Sequence, residues 1–320
     1  MFPSREGDGF HPFWLGSLSR RLRLPSSLAL NGGRETTIMR ARDIAPVVLR
    51  PLTRNPREPG AGYLTSDREG GANIMDEIIL FITWIGQACF VLQAGDTTIL
   101  MDPVPPKMGF ASGPVEADVV TVSHEHFDHN CVEMAKGKPV VLRGLDEQKK
   151  TWNTIDFKNG DVKITAFPSY HDAQQGAQRG RNAMFLIETK GLRILHTGDL
   201  GHALSEETVK KIGRVDVLLI CVGGYYTIDA REAKTVIAQL KPRAVVPMHY
   251  KTQPTSDLPI ADAEPFLKGW KRVRRLDEAR FGFTADLKGF PEGETTVLVL
   301  PYLKQAEAVG REVQRGAKKP

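Results

Sequence analysis

The sequence predicts a layered protein of mixed strands and helices, of α/β or α+β class, beginning near Met75. Three observations carry that expectation. Short apolar runs, bounded by Gly, Pro and Asp, recur from Met75 to about Leu303. Segments with helical spacing and capping residues are interspersed among them without any internal repeat. Side chains able to bind metal or move protons gather just past predicted strands, at the rim where sites assemble in layered α/β proteins.

The elements follow in order. Residues 77–86, 88–95 and 97–103 read as three short strands broken at Gly and Asp turns. Residues 117–124 form a continuous apolar run suited to a strand buried on both faces. A short helix is expected over 130–137, ended by Gly137, followed by strands at 139–144 and 162–170. Residues 182–199 read as a hairpin around Lys190 and Gly191. A helix over 205–213 starts at Ser205, whose hydroxyl can cap it, and stops at Gly213. A buried strand at 215–224 precedes a helix over 229–240 with Asp229 as N-cap, and another buried strand at 243–250. A short helix over 262–270 and a strand at 295–303 complete the pattern, and residues 306–320 form a polar tail.

The 320 residues carry a net charge of +5, which raises the question of an acidic partner such as nucleic acid. That charge is concentrated at the front. Residues 1–74 contain eleven Arg, no Lys and seven acidic residues, a net of +4, and the remainder is close to neutral. This front segment is rich in Pro, Gly and Ser and lacks helical or strand periodicity, so it is expected to be a disordered or non-native extension. It has no apolar core typical of a secretory signal, and its acidic residues argue against an Arg-rich transit peptide. The domain proper is expected over residues 75–305.

No apolar run reaches the roughly 18 residues of a membrane span. Cys89, Cys131 and Cys221 are few, odd in number and far apart. They argue for a reducing, cytoplasmic setting, against a cysteine zinc site, and for roles as small buried hydrophobes.

The strongest chemical signal is the segment Ser123–Asn130, which holds His124, His126, Asp128 and His129. In an extended chain residues 124 and 126 point the same way, and a following turn lets Asp128 and His129 face a second point nearby. Imidazole nitrogens with a carboxylate suit a borderline ion such as zinc. His171, Asp199 and His249 each follow another predicted strand. Asp102 either holds a ligand histidine in one tautomer or is simply a turn residue before Pro103. His202 either contacts substrate or is a loop residue, and His196 is a residue of the core or of the site's surroundings. Tyr225 and Tyr226, after the Gly223–Gly224 turn, either line a pocket or pack.

The segment His124–His129 matches the HxHxDH motif, and the chain from about Met75 to about Leu303 resembles the metallo-β-lactamase-fold hydrolase superfamily. The stretches Trp84–Leu92, Ile99–Pro103, Arg179–His202 and Val222–Ala233 resemble a branch described as zinc-dependent hydrolases, with lactonase-like and phospholipase-like members. The resemblance implies an α+β fold, a four-layer αββα sandwich of two mixed sheets flanked by helices, with a two-metal site on one edge. It assigns His124, His126 and His171 to one metal, Asp128, His129 and His249 to the other, and Asp199 to both. The implied cofactors are two divalent ions, zinc first, with manganese or iron also compatible with these ligands.

The implied activity is hydrolysis of an ester, lactone, amide or phosphodiester of a small molecule by a metal-bridged hydroxide, with Asp128 orienting it. A nuclease of the same fold is the alternative within enzymes, and a non-catalytic metal-binding protein the alternative outside them. The near-neutral domain and the absence of a long insert between ligand motifs disfavour nucleic acid as the substrate.

Overall fold

The computed structural model describes residues 78–111 and 113–304. The expected extension (1–74) and polar tail (306–320) lie outside the described residues. Eighteen strands run through the described chain. They are β1 (Ile78–Gly86), β2 (Cys89–Ala94), β3 (Thr97–Met101), β4 (Val115–Glu116), β5 (Val119–Val122), β6 (Ala135–Lys136), β7 (Val140–Arg143), β8 (Leu145–Asp146) and β9 (Thr151–Trp152) in the first half. The second half holds β10 (Asp156–Asn159), β11 (Val162–Tyr170), β12 (Arg181–Thr189), β13 (Leu192–His196), β14 (Val217–Cys221), β15 (Ala244–Met248), β16 (Val273–Arg275), β17 (Arg280–Thr284) and β18 (Thr296–Val299). Three α-helices accompany them: α1 (Glu206–Ile212), α2 (Ala230–Leu240) and α3 (Glu264–Leu267).

The strands form two large mixed sheets and two small two-stranded ones. The first large sheet has the order β17-β1-β2-β3-β5-β7, antiparallel up to β3 and parallel from there on. The second has the order β10-β11-β12-β13-β14-β15-β18-β16, antiparallel up to β13 and then parallel.

Strand alternation sorts the first sheet's side chains into two cores. Leu80, Ile82, Trp84, Phe90, Leu92, Ile99 and Met101 join the main core with Ile164, Met184 and Leu218 of the second sheet. The residues between them, Ile85, Val91, Leu100, Val120 and Val122, face the other way and pack with Val104, Phe110 and Met134. In β14 and β15 every residue is buried, as the continuous apolar runs predict for strands covered on both faces. Helix α2 adds Ala233, Val236, Ile237 and Leu240 to the main core, and α3 adds Phe266 and Leu267.

Local chemistry explains the helix ends. The Ser205 hydroxyl accepts the Thr208 N–H at 3.1 Å, and Gly213 closes α1 with φ +69°. Asp229 accepts the N–H groups of Arg231 and Glu232, while Glu232 accepts the Asp229 N–H, a complete capping box. The helix expected over 130–137 is instead a single 3₁₀ turn, Val132–Met134, because the following residues Ala135–Lys136 leave helical geometry to pair as β6 with β4. Over the first sheet's outer face, among the described residues, 3₁₀ turns and loops thus take the place that α-helices hold over the second sheet.

Candidate metal centre

Both sheets deliver residues to one place, because the relevant side chains all sit just past strand ends. The loop after β5 carries His124, His126, Asp128 and His129. The second sheet contributes His171 directly after β11, Asp199 three residues after β13, and His249 directly after β15. Gly198 makes the approach of Asp199 possible. It has φ +53°, and a Cβ there would lie 2.4 Å from Asn182 Oδ1 and 2.6 Å from Ser123 Cβ. The Asp199 N–H then donates to Asn182 Oδ1 at 3.0 Å.

The carboxylate of Asp199 is the centre of the cluster. Its Oδ2 lies 3.1 Å from His171 Nε2, 3.2 Å from His129 Nε2, 3.3 Å from His249 Nε2 and 3.9 Å from His124 Nε2. Around it, ligand-capable atoms of His124, His126 and His171 lie within 4.8 Å of one another, and so do those of Asp128, His129 and His249. His124, His129, His171, His249 and Asp199 are buried, Asp128 is partly buried and His126 is exposed. The cluster is therefore open on the His126 side.

Asp102 stands behind His129. It is fully buried, and its carboxylate accepts the Ser123 N–H at 2.8 Å, the Ser123 hydroxyl, and the His129 Nδ1–H at 2.9 Å. This leaves His129 Nε2 facing Asp199 and Asp128, the orientation a metal-binding imidazole needs. The hydrogen bonds of the protein alone do not satisfy the cluster. His129 Nε2 and Asp199 Oδ1 are buried without a well-formed hydrogen bond. Five imidazoles and two carboxylates, with inward-facing atoms left over, fit one or more divalent cations of the zinc type.

A sequence profile of the β-lactamase superfamily domain matches residues 81–249. The chain belongs to the metallo-β-lactamase superfamily. Among its relatives within that superfamily is a UPF0173 metal-dependent hydrolase of Anaeromyxobacter dehalogenans, 32% identical over 232 residues, spanning 62% of this chain and 85% of the relative. Another, from Archaeoglobus fulgidus, is 31% identical over 212 residues, spanning 59% and 90%. A solved Thermotoga maritima structure, described as a candidate Zn-dependent hydrolase of the superfamily, is 34% identical with a TM-score of 0.54, covering 69% of this chain and 98% of that one.

The electrostatics suit a superfamily metal site. Burial raises the proton affinity of Asp199, but His129, His249 and His171 outweigh it and hold its carboxyl well below the usual carboxylate range. Burial and repulsion from His129 keep His124 neutral, well below the ordinary imidazole value. Burial would do the same to His129, yet Asp199, Asp128 and Asp102 hold its proton affinity well above that value. Ionised Asp199 and neutral His124 already have the protonation states a cation requires, whereas His129 holds a proton that a bound cation would displace.

The other predicted residues make their contacts with groups outside the cluster. His202 Nε2 accepts the Tyr170 N–H at 3.1 Å and its Nδ1 lies 2.7 Å from the Ala203 carbonyl, so backbone occupies both nitrogens. Tyr225 is 63% exposed and packs edge-on against Tyr226. His196 is a core residue, bonded to the Ala88 carbonyl and edge-on to Phe90. One site residue escapes the motif-based reading. Gln87, in the β1–β2 turn, is buried, and its Nε2 lies 3.1 Å from Asp128 Oδ2 and 2.8 Å from His249 Nε2. Its signal is a polar residue inside an otherwise apolar stretch, directly after Gly86.

Proposed function

We propose that this superfamily member is a dinuclear metal-dependent hydrolase of a small-molecule ester, lactone, amide or phosphodiester, built on residues 75–305. The carrying observation is Asp199 Oδ2, within 3.1 to 3.3 Å of His171, His129 and His249, beside two groups of three ligand-capable side chains. In the proposal His124, His126 and His171 hold one ion, Asp128, His129 and His249 the other, and Asp199 both. Zinc is the first expectation, with manganese or iron compatible with the same donors. Bound ions would supply Lewis acidity and water activation near neutral pH.

The chain's own residues then have distinct tasks. Asp128 is the carboxylate nearest the open side and is the group placed to orient an attacking water through a hydrogen bond. Asp102 keeps the His129 Nδ1 proton in place, and Gln87 steadies Asp128 and His249. No helix among the described residues is long and apolar enough to cross a membrane. All three cysteines are free, which supports a reducing, cytoplasmic setting. The test is metal analysis of the full chain coupled to an ester, lactone, amide and phosphodiester panel. Metal content with turnover that vanishes on chelation is expected, and full activity of metal-stripped protein overturns the proposal.

A further inference from the structure

The open side of the cluster leads into a cavity of about 330 Å³. His124 and His126 line one part of it, and Arg179, Arg181 and Lys150 line another. The acidic groups on its wall are largely taken up. Glu125 accepts two bonds from Arg143 Nη1, at 2.7 and 2.6 Å, and Asp146 pairs with Lys149 at 2.9 Å. Glu147 is the remaining carboxylate on the wall. Arg179, Arg181 and Lys150 form no ion pair among the described residues. The cavity therefore presents three uncommitted cations against one uncommitted anion.

These cations are built in, not loose. The Arg181 guanidinium lies over the Trp152 ring at 5.3 Å, and its Nε is buried without a hydrogen-bond partner. Trp152 is itself pinned, its Nε1–H donating to the Asn182 carbonyl at 2.7 Å and its ring edge-on to Tyr170. Arg179 lies over the rings of Tyr226 and Tyr225 at 5.7 and 6.0 Å. The loop that carries it is wound on Asp172, whose carboxylate accepts the N–H groups of Gln174, Gly176, Gln178 and Arg179 at 2.7 to 3.0 Å. Between the two arginines, the Gly180 carbonyl accepts the His171 N–H at 3.0 Å. A single backbone bond thus sets the arginine pair in register with a residue of the metal cluster.

We propose that this cavity is an oxyanion-binding subsite, and that the substrate is a small molecule carrying a carboxylate or phosphate held by Arg181 and Arg179 while its hydrolysable bond lies against His124 and His126. The inference rests on the hydrolase reading above and adds the substrate class. A guanidinium stacked on an aromatic ring keeps its planar fork free for two parallel bonds to an oxyanion. The volume lies at the small end of the roughly 300–1,000 Å³ usual for ligand pockets, which favours a compact metabolite over a polymer.

The experiment compares two esters with one leaving group on the metal-loaded full chain: p-nitrophenyl acetate, which is neutral, and mono-p-nitrophenyl succinate, which is anionic. The anionic ester is expected to have the higher kcat/KM. In Arg181→Gln the ratio of anionic to neutral kcat/KM should fall about tenfold or more, mainly through KM, with Arg181→Lys recovering part of it. Arg179→Gln, on the loop, gives a second variant independent of the folding of β12. Calorimetric titration with succinate and with inorganic phosphate supplies a readout apart from turnover, and the tighter of the two identifies the preferred anion. Either affinity should drop about tenfold in Arg181→Gln. Ester turnover without anionic preference, or anion affinity unchanged in both arginine variants, overturns the subsite and leaves the hydrolase reading intact. Arginine-dependent anion binding without turnover of either ester supports the subsite and removes the ester branch of the hydrolase reading, whose lactone, amide and phosphodiester branches the panel above tests separately.

Discussion

Replacing Asp102 by Asn isolates what the buried carboxylate does for His129. The two side chains have nearly the same shape, so packing is preserved. Asp102 accepts three hydrogen bonds: Oδ1 takes the Ser123 N–H, and Oδ2 takes the Ser123 hydroxyl and the His129 Nδ1–H. Asn offers one oxygen in place of two. If its NH₂ faces His129, donor meets donor, and the imidazole must move its proton to Nε2, the atom that looks toward Asp128 and Asp199. If the amide flips, its NH₂ meets the Ser123 N–H in a fully buried site. The flipped arrangement leaves a buried donor unpaired, which costs about 1–3 kcal/mol of folding stability, whereas the first keeps its donors paired but turns the His129 proton toward the atom a metal would need.

The larger expected effect is on metal. Losing a partner that orients a metal-binding His typically weakens affinity about 10–100-fold. At about 1.36 kcal/mol per tenfold, that is about 1.4–2.7 kcal/mol. Chelator competition on the full chain reads the affinity, and urea unfolding with excess chelator reads the metal-independent stability. Ser123→Ala removes both the hydroxyl bond to Asp102 and the 2.9 Å contact to His124 Nδ1, while the His129–Asp102 bond stays, so any loss of metal affinity in it is expected to act through His124. Wild-type metal affinity in Asp102→Asn, within threefold, would refute the argument that Asp102 acts through His129.

The remaining predictions address other parts of the structure. Asp199→Ala and His126→Ala should each lose bound metal and hydrolysis together; metal content by elemental analysis beside the activity panel checks this, and an active, metal-free variant contradicts it. Gly223→Ala places a Cβ 2.3 Å from the His249 carbonyl oxygen and 3.0 Å from Tyr250 Cα, so it should destabilise by about 1–3 kcal/mol in urea and lower activity by displacing His249. Asp172→Ala strips the acceptor from four backbone N–H groups and should cost about 1–3 kcal/mol, with faster proteolysis within 173–180. Cys89 and Cys221 are fully buried and burial pushes both thiols up to about 12, so a native-state thiol titration should detect at most one slow equivalent, from Cys131, and three after denaturation.

The features legible in the sequence share one property: their physical cause is local. β14 and β15 are legible because strands covered on both faces need uninterrupted apolar side chains. α2 is legible because Asp229 and Glu232 form its capping box within four residues. The histidine cluster is legible because four of its members lie in one six-residue segment. The missed elements depend on partners far away in the chain. β10, Asp-Phe-Lys-Asn at a sheet edge, has mostly exposed side chains and no apolar pattern, and β11 alone holds it. β17 reaches the first sheet only through pairing with β1, about two hundred residues earlier. Asp102 could not be separated from an ordinary turn residue, because its partners Ser123 and His129 lie on another loop.

Backbone strain is the feature that sequence patterning conceals most completely, and three of the nine non-glycine residues with positive φ among the described residues sit at this site. Gln87, Asp102 and His249 all adopt positive φ, at +52°, +42° and +52°, although none is glycine. Each such residue costs about 1–2 kcal/mol relative to an ordinary conformation, so the surrounding structure must hold it there. The holding bonds are visible. The Asp102 N–H donates to the Thr121 carbonyl at 2.9 Å, and the His249 N–H donates to the Gln87 carbonyl at 3.1 Å. The second bond joins two strained residues from opposite sheets, one after β15 and one between β1 and β2. Relaxing either residue would break a link between the sheets at the point where the cluster spans them. The strain therefore does structural work of a kind a glycine could not do, because the side chains it aims, Gln87 and His249, meet each other and Asp128 at the cluster.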